Sequence, residues 1–180
     1  VTNTTPDELL RQRTRLALSL AAKDLIEYSF GLLATFGEEG IAPVSDVLMA
    51  RRLLTLAHRY RTLAVLCAII VRGASWNDVA AADGRSMPDM FGMYGDAVER
   101  WVQGDPAPWT PQIASVQPLL FDAAPIHINA RNITKLSKAL DEFYAQYTRD
   151  RIGGDVADAV SGGLARVGRQ GPPWTSASSS

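Results

Sequence analysis

The sequence predicts an all-α protein: long antiparallel helices packed with a helix-turn-helix unit, a proline-rich strap and a C-terminal helix. Three observations carry that expectation. Apolar residues recur at alternating steps of three and four through two long stretches, the repeat of one helix face rather than of a strand. Small polar residues able to accept from free helix amides stand at the head of the helical stretches. Strand signals are confined to one short segment, Pro125 to Asn129. With 180 residues, 47% apolar and 21% charged, the chain can bury one core of ordinary size.

The first helix opens on Thr5-Pro6-Asp7-Glu8, a capping box with Thr5 as cap, Pro6 at the first helical position and Glu8 placed to reach back. It runs to about Thr35. Leu9, Leu16 and Leu20 lie on one face and Leu18, Leu25 and Leu32 on another, so several neighbours are expected to cover it. Gly37 and Gly40 end it, and Pro43 keeps the linker extended. Ser45 caps a second long helix, to about Arg72, with the seam Met49, Leu53, Leu56, Tyr60, Leu63, Cys67 and Ile70. That seam fits an antiparallel pairing with the first helix or a subunit interface, and the chain is expected to be a homodimer.

Between Ser75 and Trp101 a short hairpin is expected. Ser75 caps a helix from Trp76 to about Ala82, Gly84 supplies the tight turn, and Ser86 caps the next helix with Asp89 three residues on. Met90, Tyr94, Ala97 and Trp101 form the buried face of that second helix. Gly104, Pro106, Pro108, Pro111, Pro118 and Pro125 then exclude one regular element. Trp109, Ile113, Val116, Leu119, Leu120 and Phe121 make this stretch read as an ordered strap over the helices. A last helix from about Arg131 to Arg151 carries Ile133, Leu136, Leu140, Phe143 and Tyr147, and Gly153-Gly154 stops it. A weaker helical piece spans Asp155 to Arg166. Residues 1–166 are read as one helical domain and 167–180 as a disordered tail.

The chemistry-bearing residues are few. Cys67 is the single cysteine, inside the apolar run Leu63 to Val71, so no internal disulfide or thiolate metal site is available. The histidines, His58 and His127, have no partner at a catalytic or metal-ligand spacing, and HExxH, GxSxG, CxxC and P-loop patterns do not occur. Neither an enzyme, a metal nor a cofactor is expected. Lys23, Asp24 and Glu27 interrupt one apolar stretch, Arg61 and Arg72 close another, and no signal peptide is visible. A cytoplasmic protein without a membrane segment is the expectation.

An arginine-bearing helix, then Arg72-Gly-Ala-Ser-Trp76, an alanine-rich turn of helix, Gly84, Ser86 and Tyr94-Gly95 together resemble the helix-turn-helix of small actinobacterial DNA-binding regulators. The resemblance covers about Leu53 to Trp101. It implies that the second hairpin helix enters the major groove and that its early residues, here Arg85, Ser86, Met87, Pro88, Asp89 and Phe91, face base edges. The chain departs from that pattern. Asp83 replaces an apolar residue before the glycine, and Met87, Pro88, Phe91, Gly92 and Met93 stand where Arg, Gln, His or Lys are usual.

Charge divides the same region. From Ser75 to Asp105 six acids (Asp78, Asp83, Asp89, Asp96, Glu99, Asp105) face two arginines, a net of -4. From Ser45 to Ala74 five arginines (Arg51, Arg52, Arg59, Arg61, Arg72) face Asp46, a net of +4, although the whole chain is at -1. Two functions are therefore expected. The first is a small transcriptional regulator or DNA-associated accessory protein, with Arg51, Arg52 and Arg59 gripping the phosphates of double-stranded DNA and Arg85 and Ser86 approaching it at a helix N-terminus. The alternative is a protein-interaction module with a hairpin that does not read DNA, docking a partner on Met87, Phe91 and Met93.

Overall fold

The structure, a computed structural model, describes residues 5–34, 45–108, 126–151 and 160, and among these every regular element is helical. Helix α1 spans Pro6–Ala34 and begins where Thr5 Oγ1 accepts from the Glu8 amide at 3.3 Å. Helix α2 spans Ser45–Leu66 and continues through a wide π turn, Cys67–Val71. Its last closure runs from the Arg72 amide to the Cys67 carbonyl at 3.1 Å, and Gly73 at φ 68° turns the chain away. That left-handed conformation strains any residue with a Cβ. Helices α3 (Trp76–Asp83) and α4 (Met87–Val102) make the hairpin, and α5 (Ile133–Arg151) is the last helix among the described residues. The fold is all-α, as the periodicity and caps predict.

The main core lies where α1, α2, α4 and α5 meet. Leu16, Ala17 and Ala21 of α1 pack with Leu63 and Leu66 of α2, Trp101 of α4 and Leu140 of α5. Small residues on α1 let its neighbours approach closely. One buried hydrogen bond fixes the register: Trp101 Nε1 donates to Thr14 Oγ1 at 2.8 Å, and Thr14 Oγ1 donates to the Leu10 carbonyl at 2.7 Å. The Arg13 guanidinium covers the indole face, 3.7 Å from its centroid. Tyr144 of α5 donates its hydroxyl to the Ser19 carbonyl at 2.9 Å, tying the last helix to the first.

The predicted seam of α2 is only partly the face that the helix buries. Leu63 and Cys67 are buried, Met49, Leu53, Leu56 and Ile70 are half-buried, and Tyr60 is exposed. Arg59, Thr62, Val65 and Leu66 complete the buried set. The reason is that α2 is covered from two sides, by α1 and by the hairpin, so its inward surface is wider than one stripe. Against α1, the seam region serves intramolecular packing.

Residues 126–129 are not a strand. Ile126 and Ile128 are buried with His127 exposed between them, and the Ile126 amide donates to the Pro106 carbonyl at 3.1 Å. This short extended piece alternates like a strand but has no ladder partner among the described residues. Asn129 and Asn132 then exchange side-chain-to-backbone bonds and start α5. The linker with Gly37, Gly40 and Pro43, most of the strap (109–125), the piece Asp155–Arg166 and the tail lie outside the described residues, apart from Val160. The Val160 amide donates to Asp141 Oδ1 at 2.6 Å.

Ser45–Val71 forms one continuous helix that is long and apolar enough to cross a membrane by length and composition, with mean hydropathy 1.4 over its best window. Sequence runs bounded by arginines hide this, because Arg59 and Arg61 fall inside the window. Both are paired within the fold, to Asp24 and Asp83.

Candidate functional site: the hairpin and the α2 surface

Local chemistry shapes the hairpin. Ser75 Oγ accepts from the Asp78 amide at 3.2 Å, and Asp78 Oδ2 accepts from the Ser75 amide at 2.8 Å, a complete capping box. Gly84 closes α3 at φ 69°, a left-handed position. Ser86 Oγ accepts from the Asp89 amide at 3.3 Å, but Asp89 returns to the Ser86 hydroxyl, at 2.6 Å, so the second box is half formed. Pro88 sits in the first turn of α4, where its missing N–H costs nothing. Met90, Tyr94, Ala97 and Trp101 are the face that α4 buries.

The hairpin is braced at two points. Trp101 anchors the end of α4 on α1. At the other end Met90 and Tyr94 pack with Val79 and Ala80 of α3 and Val65 of α2. Beside this cluster Asp83 stands between two guanidinium groups. Arg61 Nη2 donates to Asp83 Oδ1 at 2.7 Å, and Arg85 Nε lies 3.1 Å from Asp83 Oδ2. The Arg61 hydrogen bond holds the Asp83 carboxyl below its ordinary range, and the same bond raises Arg61. A carboxylate is thus accommodated where the resembled family has an apolar side chain. The Tyr94 ring lies near the same arginine, 5.9 Å from centroid to guanidinium, and burial pushes its phenol up.

The expected site residues divide between surface and interior. Arg52 is exposed, with its guanidinium 5.3 Å from the Tyr28 ring centroid, and Arg51 is half-buried. Arg85 and Ser86 are exposed at the hairpin turn. Arg59 does not lie on the arginine surface. Its side chain is 5% exposed and Nη1 donates to Asp24 Oδ2 of α1 at 2.9 Å. Burial lowers its guanidinium pKa while Asp24 opposes the shift. Arg59 is therefore the buried member of an ion pair and does not share the surface expected for it beside Arg51 and Arg52.

Met87, Phe91 and Met93 are all exposed on α4, Met87 and Phe91 on one flank of its buried side and Met93 on the other. The Phe91 ring meets Trp76 edge-on, with centroids 5.3 Å apart, and rests against Gly95, where an added Cβ would stand 3.3 Å from the ring. Arg85 Nη1 reaches the Met93 sulfur at 3.6 Å. Asp89, Asp96 and Glu99 are exposed on the same helix. Arg100, its only base, donates from Nε to Asp105 Oδ2 at 2.7 Å.

Two features escape a reading of the sequence alone. Arg61 organises the turn through Asp83, a partner 22 residues away. Val47, Leu48 and Leu54 form an exposed apolar surface on the first half of α2. The seven-residue step from Val47 to Leu54 was the available signal. No protein-family model, no curated protein and no solved structure matches this chain.

Proposed function

We propose that this chain is a regulatory protein of helix-turn-helix type whose hairpin works by contacting protein, with α4 as a docking helix rather than a base-reading one. The observation that carries this reading is the exposed surface of α4. Met87 and Phe91 are exposed on one flank of its buried side and Met93 on the other, with Asp89, Asp96 and Glu99 exposed between the flanks. Base edges are read by Arg, Lys, Asn and Gln, and no such residue occurs on α4 before Arg100. Acids repel phosphate, whereas methionine and phenylalanine offer apolar area that adapts to a partner. The interior position of Arg59 removes a cation that a phosphate grip would use.

A second reading, a transcriptional regulator bound to double-stranded DNA, is favoured by one feature. Arg52, Arg72 and Arg85 are exposed, and Ser86 leads into the N-terminus of α4. Arg85 would have to exchange Asp83 for a phosphate.

Titration of a labelled duplex at low and at physiological salt separates the two. Protein contact predicts no retention that depends on salt. Tight binding at low salt that falls steeply with added salt, and disappears in the Arg52→Glu, Arg85→Glu variant, would overturn it. Met93→Lys should release a protein partner without altering the fold, because the side chain is already solvent-facing.

A further inference from the structure

One apolar line on α4 is left open by the described residues. At about 100° per residue, Met87, Phe91, Val98 and Val102 fall within a narrow arc along one flank of its buried side. Phe91 and Val102 are each 54% exposed and Met87 42%, while Val98 leans on the main core. Trp76 of α3 widens the line through its edge contact with Phe91. Going round the helix toward solvent come Gly95, Glu99, Gly92 and Asp96 in turn. A Cβ at Gly92 would meet nothing within 4 Å, and one at Gly95 only the Phe91 ring. The two glycines weaken the helix, and they leave its backbone open to close approach beside the acids.

An occupant of this strip needs apolar side chains and positive charge. Charge separates the five segments that lie outside the described residues. Segment 1–4 has no charged side chain, 35–44 carries Glu38 and Glu39, 109–125 carries Asp122, and 152–159 carries Asp155 and Asp158. Segment 161–180 alone is basic, with Arg166 and Arg169 and no acid. It also holds Leu164, Val167 and Trp174 among glycine, serine and proline, a composition with no core of its own. It leaves from Val160, which is buried in the same core cluster as Trp101 of α4. Its 20 residues reach up to roughly 65 Å. The 16 residues of α4 span only about 24 Å, so the whole strip is within range.

We propose that segment 161–180 of the same chain lies along this strip, its apolar side chains on the line from Met87 to Val102 and its two arginines over Asp96 and Glu99. This rests on the reading above that α4 contacts protein, and it adds how that contact is regulated: the segment occupies the surface until a partner displaces it. Tethering holds its local concentration on the order of 1 mM. A contact too weak to join separate molecules therefore still closes. Excluding water from the apolar line supplies the affinity, and the opposed charges set the register.

A paramagnetic label on Thr175→Cys in the full chain tests this, since Cys67 is buried and takes no label. Amide signals from Phe91 to Val102 are lost near the label, equally at low and high protein concentration, and they recover as salt screens the charges. Arg166→Glu with Arg169→Glu restores those signals, and so does Asp96→Lys with Glu99→Lys. All four changes together bring the loss back, because both signs are then reversed. An unchanged circular-dichroism melt verifies the fold in each variant.

Signals of α4 that keep their intensity in the labelled chain overturn the proposal. So does a loss that grows with concentration, which would place the segment on a second copy, or a loss indifferent to the charge changes. The duplex titration judges the protein-contact reading separately: an α4 untouched by the label, with no salt-dependent DNA binding, ends this proposal and leaves that reading standing.

Discussion

Replacing Asp24 by Asn tests whether Arg59 belongs to the core or to the surface. The Arg59 side chain is 5% exposed, and its Nη1 donates to Asp24 Oδ2 at 2.9 Å. Without the carboxylate the guanidinium stays buried with its main counter-charge gone. Removing one partner of a fully buried pair costs about 3–5 kcal/mol. Asp24 is 37% exposed, so water takes over part of its role, and the expected cost falls to about 2 kcal/mol. In urea, with a slope of about 2 kcal/mol/M for a domain of this size, the midpoint drops by about 1 M at unchanged slope. Adding Arg59→Met to Asp24→Asn recovers most of the loss, since methionine fills the space without a charge to desolvate. A surface pair behaves otherwise: its disruption stays within about 0.5 kcal/mol. An Asp24→Asn variant inside that range, or a double variant no better than the single, refutes the assignment of Arg59 to the interior.

Thr14→Val keeps the shape but leaves the Trp101 indole N–H without its acceptor, at a cost of about 1–3 kcal/mol in the same urea assay; no loss would mean that the bond does not anchor α4. Gly92→Ala meets no atom within 4 Å and should stabilise α4 by about 0.5–1 kcal/mol, whereas Gly84→Ala, at φ 69°, should destabilise by about 1 kcal/mol. Equal melting temperatures for these two variants would contradict the turn geometry. Asp78 and Asp83 both have carboxyl pKa values below the ordinary range, Asp78 through Ser75 and Asp83 through Arg61. A depressed carboxyl stabilises the fold above its unfolded pKa, near 3.9, and loses that contribution as pH falls through the folded value. The melt should therefore hold steady from neutral pH to about 5 and fall below about 4, with a shallower acid limb in Asp83→Asn. An acid limb identical to that of the unaltered chain would show that Asp83 is not held by Arg61.

What the sequence discloses about this fold is the chemistry local to a turn. The caps at Thr5, Ser75 and Ser86 depend on residues three apart, and all three accept from the amide expected. The left-handed Gly84 and the buried set Met90, Tyr94, Ala97 and Trp101 follow equally from a single helix and its ends. What it obscures is anything a helix owes to two neighbours at once. Helix α2 meets α1 on one side and the hairpin on another, so its apolar positions cannot condense into one seam. Arg59 looks like a surface cation because its neighbours in sequence are polar, while the group that neutralises it lies 35 residues earlier. Ile126 and Ile128 have the alternation of a strand because each is buried in the core, and no ladder pairs them among the described residues.

The candidate site shows the same division, with a consequence for charge. Summing formal charges treats each acid of the hairpin as free to repel a phosphate. Asp83 is not free: it is divided between Arg61 and Arg85, so one carboxylate occupies two cations. Asp105 likewise occupies Arg100. Pairing therefore removes cations and anions together, but not from the same places. It withdraws arginines from the turn and from the end of α4, where Arg100 also lies 3.8 Å from Asp96, while Asp89 and Glu99 stay exposed. The exposed surface of α4 is thus poorer in available positive charge than the bare count suggests, and its apolar residues flank an acidic strip. On α2 the pairing of Arg59 and Arg61 acts in the opposite direction, diluting a positive face down to Arg52 and its neighbours. What remains on both helices is apolar area edged with charge, a surface whose affinity would come from excluding water and whose selectivity would come from sign. Phosphate binding orders those contributions the other way, with cations first.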